Sequence, residues 1–243
     1  MSGHSKWNNI KRTKEKADAA KGKIFTKIGR ELAVIVKAGG PDPNTNAKLK
    51  DAIAKAKQQN MQNDTIMRSI KKASGELGNI NYEEIIYEGY GVGGSAVIVK
   101  CLTDNKNRTA GDVRHAFDKY NGSLGATGCV SYLFKNKGII LIEKNEQIDS
   151  DEVMMIALEA GALDVVDEDE IIQIETNPDD VTKVSEELEN NNITIISSEA
   201  TLVPDMYVTL DASKEDTFKK MIDKLEDSDD VQEVYHNVEL SEE

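Results

Sequence analysis

Apolar residues recur at helical spacing through the first third of the chain, then change after Gly78 to short runs and alternation. Ile24, Ile28, Leu32 and Ile35 predict a helix from about Lys21 to Ala38, stopped by Gly39-Gly40-Pro41. Before it, Ile10 to Ala20 reads as a helical segment dominated by Lys, Arg and Ala. Leu49, Ile53 and Ala56 predict a helix over Ala47 to Gln59 with Asn46 as its cap. Ile66, Ile70 and Ala73 predict another, from near Asp64 to Gly75. Helices this short are marginal alone, so they should pack as one bundle.

Beyond Gly78, Glu84 to Glu88 and Ala96 to Lys100 read as strands joined across the glycine-rich stretch Gly89 to Gly94. A helix over Thr109 to Tyr120 and a strand over Cys129 to Phe134 follow. Residues 138–198 then run strand (Gly138–Glu143), helix (Ser150–Ala160), strands (Leu163–Val166 and Ile171–Glu175), helix (Pro178–Asn190) and strand (Ile193–Ser197). That β-α-β-β-α-β order belongs to a ferredoxin-like fold. The tail adds a strand (Met206–Leu210), a helix (Ser213–Leu225) and a strand (Val231–Val238), too little for a domain of its own. The expected class is α+β and multidomain: an N-terminal helical bundle plus two ferredoxin-like-type α+β domains, the second inserted into the first. The expected divisions are 1–78 (basic, helical), 79–134 with 204–243 (discontinuous), and 135–203 (inserted).

Composition suits a folded, water-exposed protein: 39% of the 243 residues are hydrophobic and 30% charged, and the cores are expected to be aliphatic because only 5% are aromatic. No apolar run reaches the roughly 20 residues that span a bilayer, and the start lacks a secretory signal. A reducing cytoplasm is the expected location, with Cys101 and Cys129 as free thiols. The net charge of −14 hides a sharp partition. Residues 1–76 hold 17 Lys+Arg against 7 Asp+Glu, net +10; the rest holds 13 against 37, net −24. A cationic head on an acidic body points to a polyanionic partner, and no membrane partner is expected.

Lys23, Lys27, Arg30 and Lys37 sit at offsets 0, 4, 7 and 14, which aligns them as one stripe beside the apolar stripe of their helix. Lys6, Lys11, Arg12, Lys14, Lys16 and Lys21 precede them. Many cations on one surface bind nucleic acid by releasing counterions from phosphates. Trp7, the only tryptophan, either stacks on an unpaired base or anchors the N-terminal segment to the bundle. A second cluster, Asn105, Asn107, Arg108 and Thr109 followed by Arg114 and His115, marks a strand-to-helix junction. It reads either as an anion site at a helix N-terminus or as an ordinary turn capped by Asn107 or Thr109.

No catalytic or metal constellation emerges, and no cofactor is expected. Gly89 to Gly94 lacks the Lys-Ser/Thr of a phosphate loop. Asp167 to Glu170 lacks the glycine kink of a calcium loop, and His4, His115 and His236 lack ligand spacing. A nucleophilic pairing of Cys101 or Cys129 with His115 has no local signature, so small core residues are the expected reading.

The strings Gly3 to Lys11 (GHSKWNNIK) and Gly22 to Glu31 (GKIFTKIGRE) resemble the YebC/PmpR family, as do Tyr87 to Gly91, Cys101 to Thr109 and Val113 to Phe117. The likeness runs along essentially the whole chain; Val92 and Cys129 depart from the pattern, where proline and serine are usual. The resemblance implies three domains around a cleft, no enzymatic activity, a cytoplasmic or, in eukaryotic relatives, mitochondrial location, and nucleic-acid contact by the N-terminal domain. It also implies one of two roles: a DNA-binding regulator of transcription, or a factor acting on the ribosome, as does the mitochondrial translational activator of cytochrome c oxidase. The expected partner is therefore duplex DNA or structured or ribosomal RNA. A protein–protein adaptor using the acidic domains is the third reading, and a monomer is the working expectation.

Overall fold

The computed structural model describes residues 17–75, 81–145 and 148–241, with side chains from residue 22 onward. Its contacts divide the chain into two compact units. Among the described residues, one holds those of 17–131 and 210–236; the other holds those of 132–209 with the final strand from 237. The first is thus discontinuous in sequence.

The first unit opens with helix α1 (Ala17–Gly39), α2 (Ala47–Gln58) and α3 (Asn63–Ser74). The boundary expected between Ala20 and Lys21 does not exist, because Ala19, Ala20 and Lys21 are good helix formers and α1 runs straight through them. The expected segment from Ile10 to Lys16 lies outside the described residues. Ile28, Leu32, Val36, Leu49, Ala52, Ala56, Ile66 and Ile70 form the bundle core. Asn46 ties α1 to α2: its Oδ1 accepts from Leu49 N at 3.2 Å, and its Nδ2 donates to Ile35 O and Gly40 O at 3.2 and 2.9 Å. A Cβ at Gly39 would stand 2.7 Å from that amide nitrogen, so the helix end must be a glycine for Asn46 to come this close.

The same unit continues with β1 (Glu83–Tyr90), β2 (Ala96–Thr103), α4 (Lys106–Lys119), β3 (Ser123–Leu124), α7 (Ala212–Glu226) and β9 (Val231–His236). Their sheet has the order β3-β1-β2-β9 and is antiparallel throughout. β2 is central and buried on both sides, which explains its nearly unbroken run Ala-Val-Ile-Val. The Gly-rich stretch is the expected hairpin, turning through Gly93 and Gly94 at φ 72° and 77°. α4 and α7 bury Phe117 and Phe218 completely.

Of the strand expected over Cys129 to Phe134, only Phe134 is in a strand; Cys129 to Leu133 form a turn region that strand pairing does not hold. The buried Glu88 carboxylate holds it, accepting from the backbone N–H of Gly128, Val130 and Ser131 at 2.8, 3.0 and 2.9 Å. An apolar run whose N–H groups find a carboxylate has no need of a neighbouring strand.

The second unit comprises β4 (Phe134–Glu143), α5 (Ser150–Ala160), β5 (Asp164–Asp167), β6 (Ile171–Thr176), α6 (Val181–Asn190) and β7 (Ile195–Pro204). The antiparallel order β5-β6-β4-β7 is the ferredoxin-like arrangement. Ile140, Ile142, Ile172 and Ile174 pack against Val153, Ala157, Val184 and Leu188 of the two helices. The tail strand expected over Met206 to Leu210 shrinks to β8 (Val208–Thr209). It pairs in parallel with β10 (Val238–Glu239) in this unit and adds nothing to the sheet of the first.

Candidate nucleic-acid interface

Lys23, Lys27 and Arg30 do share one stripe of α1, but the stripe faces into its own unit. Lys23 Nζ donates to Asp227 O at 3.1 Å and pairs with the Asp227 carboxylate; Lys27 Nζ donates to Glu226 O at 2.8 Å. Both lysines therefore cap the C-terminal end of α7, where free carbonyls and the helix dipole attract cations. Burial lowers the Lys27 pKa, against the opposing pull of Glu226 and Asp229. Arg30 Nη1 donates to Leu102 O at 2.9 Å and to the Asp230 carboxylate, and its guanidinium lies 5.3 Å from the Tyr82 ring centroid. Lys37, at the far end, donates to Asn81 Oδ1 at 2.7 Å.

Asp230 is the hub of this contact. Its carboxylate, 3% exposed as a residue, also accepts from Arg108 Nε at 3.0 Å, Arg108 Nη2 at 2.9 Å and Thr109 Oγ1 at 2.8 Å. Burial alone would raise its pKa, but the donors from Arg30, Thr109 and Arg108 outweigh that and lower it.

The junction motif is consumed by the same network. Asn105, and neither Asn107 nor Thr109, caps α4, accepting from Arg108 N at 3.1 Å. Thr109 is buried and its hydroxyl bonds Thr103 and Asp230. Arg108 is held by Asp104 and Asp230 at 2.8 and 2.9 Å, so two carboxylates already occupy the cation an anion site would need. Asn107, Arg114 and His115 lie on the exposed side of α4. His115 borders a small depression with Lys119 and Lys224.

The thiols are not activated nucleophiles. Cys101 is fully buried in β2, and its pKa is pushed up to about 12 by that burial and by Asp230. The Cys129 pKa is raised by burial and by Glu88.

An open cationic surface lies elsewhere on the head. Lys48, Lys50 and Lys57 on α2 and Arg68, Lys71 and Lys72 on α3 are all exposed, and none makes a side-chain hydrogen bond or ion pair among the described residues. Arg68, Lys71 and Lys72 occupy one helical face at i, i+3 and i+4, beside Met67, which is 61% exposed. Sequence reasoning passed over these six because they are interspersed with small and polar residues and form no conspicuous stripe. Residues 47–74 nevertheless carry seven cations against two acids. Lys6, Trp7, Lys11, Arg12, Lys14 and Lys16 lie outside the described residues, as does the Lys21 side chain. A groove of about 1040 Å³ runs between the helical head and the sheet of the same unit, lined among others by Lys27, Lys48, Lys55 and Lys100, by Glu31, Glu226 and Glu233, and by Ile24, Ile28 and Ile35.

No helix among the described residues is long and apolar enough to cross a membrane. The family description "TACO1/YebC protein N-terminal domain" matches residues 5–76, and "TACO1/YebC second and third domain" matches 82–238. A probable transcriptional regulatory protein of Clostridium novyi is 58% identical over 243 residues, covering 100% of this chain and 99% of the relative. One of Acetivibrio thermocellus, named in the same way, is 60% identical over 238 residues, covering 98% of each. The crystal structure of a conserved hypothetical protein from Aquifex aeolicus is similar with a TM-score of 0.82 at 43% identity, covering 93% of both chains. With both family descriptions matched in order along nearly its full length, this chain belongs to the TACO1/YebC family.

Proposed function

We propose that this protein is a non-enzymatic, cytoplasmic regulator of gene expression that binds nucleic acid through its helical head, as a DNA-binding regulator of transcription. The observation that carries this reading is the set of exposed cations on α2 and α3 that lack acidic partners. Cations already bonded to carboxylates and carbonyls, such as Lys23, Lys27 and Arg30, must break those bonds to meet a phosphate; Lys50, Lys57, Arg68, Lys71 and Lys72 need not. Lys6, Lys11, Arg12, Lys14, Lys16 and Lys21 add to the charge of the same end of the chain, with Trp7 among them. The names of the relatives support a regulatory role. The three-part division at 1–78, 79–134 with 204–243, and 135–203 belongs to the same proposal: the head binds while the acidic parts stay clear of the polyanion.

A second reading is an RNA-binding factor acting on the ribosome. One feature favours it: the open cations Arg68, Lys71 and Lys72 of α3 have no Asn or Gln among them to read adenine in a major groove, and cations alone serve the phosphates of a structured RNA.

The test is the variant Arg68→Glu/Lys71→Glu/Lys72→Glu, titrated by fluorescence anisotropy against promoter duplex, random duplex and structured RNA over a range of salt. Binding should be lost with the fold intact, and each phosphate contact removed should lower the salt slope on duplex by about 0.9. Undiminished affinity would overturn the placement. Preference for the promoter duplex selects the transcriptional role, and preference for RNA the ribosomal one.

A further inference from the structure

The second unit carries a surface that nucleic-acid binding does not explain. Helix α5 is apolar nearly all round, so packing its inner face on the sheet through Val153 and Ala157 leaves Met155 and Leu158 on the outside, 63% and 48% exposed. They stand at i and i+3, adjacent on one face. Gly161 ends the helix in the left-handed region at φ 114°, with Ala162 N bonding Ala157 O at 2.9 Å. The chain then enters edge strand β5 by way of Leu163, itself 57% exposed and fixed by its N–H to Glu175 O at 2.7 Å.

The charged residues that α5 and the start of β5 expose here are all acidic, while Lys183 of α6 reaches the end of the helix beside Gly161. Asp151, Glu152 and Glu159 flank Met155 on the helix, and Asp164 follows Leu163; all four are exposed, and none forms a salt bridge among the described residues. The wider surroundings reinforce the sign. Residues 132–209 hold 19 acids and four lysines. Three of those lysines are already paired, Lys135 with Asp205, Lys137 with Glu175 and Lys144 with Asp167.

We infer that the outer face of α5 is a docking surface for a basic protein segment that inserts apolar side chains between these carboxylates. The charge selects the occupant. Nucleic acid is repelled from it, and a second copy docking through the same face would set carboxylates against carboxylates. A Lys/Arg-rich amphipathic helix satisfies both the acids and the exposed Met and Leu, and the pliable Met155 side chain adapts to its shape. This gives the molecule two contacts of opposite sign: the head for a polyanion, the α5 face for a cationic protein. The inference is independent of what the head binds.

The experiment titrates the full-length, isotope-labelled protein with a short helical peptide of leucine and lysine, leucines at i, i+3, i+4 and i+7, and with a leucine–glutamate peptide of the same pattern. Amide shifts should concentrate in residues 150–164 with the first peptide and be absent with the second. Met155→Ser/Leu158→Ser should weaken binding by about tenfold or more, the scale of losing a buried anchor. Asp151→Asn/Glu159→Asn should weaken it and flatten its salt dependence. Both variants should keep the nucleic-acid affinity of the parent, so failure here is distinguishable from failure of the head's assignment. Three results would overturn the inference: equal peptide binding by the Met155/Leu158 variant, shifts spread over the whole acidic surface, or concentration-dependent self-association that the same variant abolishes.

Discussion

Arg30 and Asp230 lie 200 positions apart in the chain and share a hydrogen-bonded ion pair, with side chains 14% and 5% exposed. The pair, with Arg108 and Thr109 on the other side of the same carboxylate, fastens the first helix to the turn before the last long strand of its unit. A carboxylate so placed is satisfied only while all its donors remain.

Replacing Asp230 by alanine should therefore cost about 3 kcal/mol, because it leaves the guanidinium of Arg30 buried without its anion. Urea unfolding followed by circular dichroism reads this as a lower midpoint. Lys55→Ala, which removes partly exposed pairs with Glu31 and Glu233 at 3.4 and 3.8 Å, should cost well under about 1 kcal/mol. Equal losses in the two variants would deny Asp230 its role as hub.

Acid should loosen the first unit through two groups. Glu88 and Asp230 both have lowered pKa values: burial pushes each up, but backbone N–H groups in the first case and Arg30, Thr109 and Arg108 in the second outweigh it. A carboxylate whose pKa is depressed by folding stabilises the protein above its unfolded pKa, about 3.9 for Asp and 4.3 for Glu, and loses that contribution as pH falls through the folded value. Stability from these groups should be level between neutral pH and about 5, then decline below about 4. Glu88→Gln should be less stable than the parent at pH 7 and show a shallower acid decline. An unchanged acid profile in that variant would remove Glu88 from the account.

The thiols should differ in accessibility. Cys101, with its pKa near 12 and no exposure, should resist Ellman's reagent at pH 8 until the protein unfolds. Cys129, half-buried, should react in the folded state, though more slowly than a free thiol because its pKa is raised. Prompt reaction of two thiols per folded chain would contradict the burial of β2.

Periodicity revealed the helices because α1, α2 and α3 each bury one stripe, and a buried stripe is written at 3.6-residue spacing. The ferredoxin-like order was equally legible, since α5 and α6 each bury one stripe at helical spacing while β4 and β6 are short apolar runs buried on both faces. The segment from Cys129 to Leu133 misled because its apolar residues are strand-like, while the group that holds it, Glu88, lies 40 residues earlier. The site was harder still. Spacing correctly placed Lys23, Lys27 and Arg30 on one stripe, but which way a stripe faces depends on what packs against it.

The sequence by itself determined the local order of elements, the faces they bury and the separation of positive head from negative body, because each depends on near neighbours in the chain. Only the tertiary structure decided which cations stay open. Glu226, Asp227 and Asp230 reach α1 from about 200 residues away, and long-range electrostatic pairing leaves no periodic mark in a sequence.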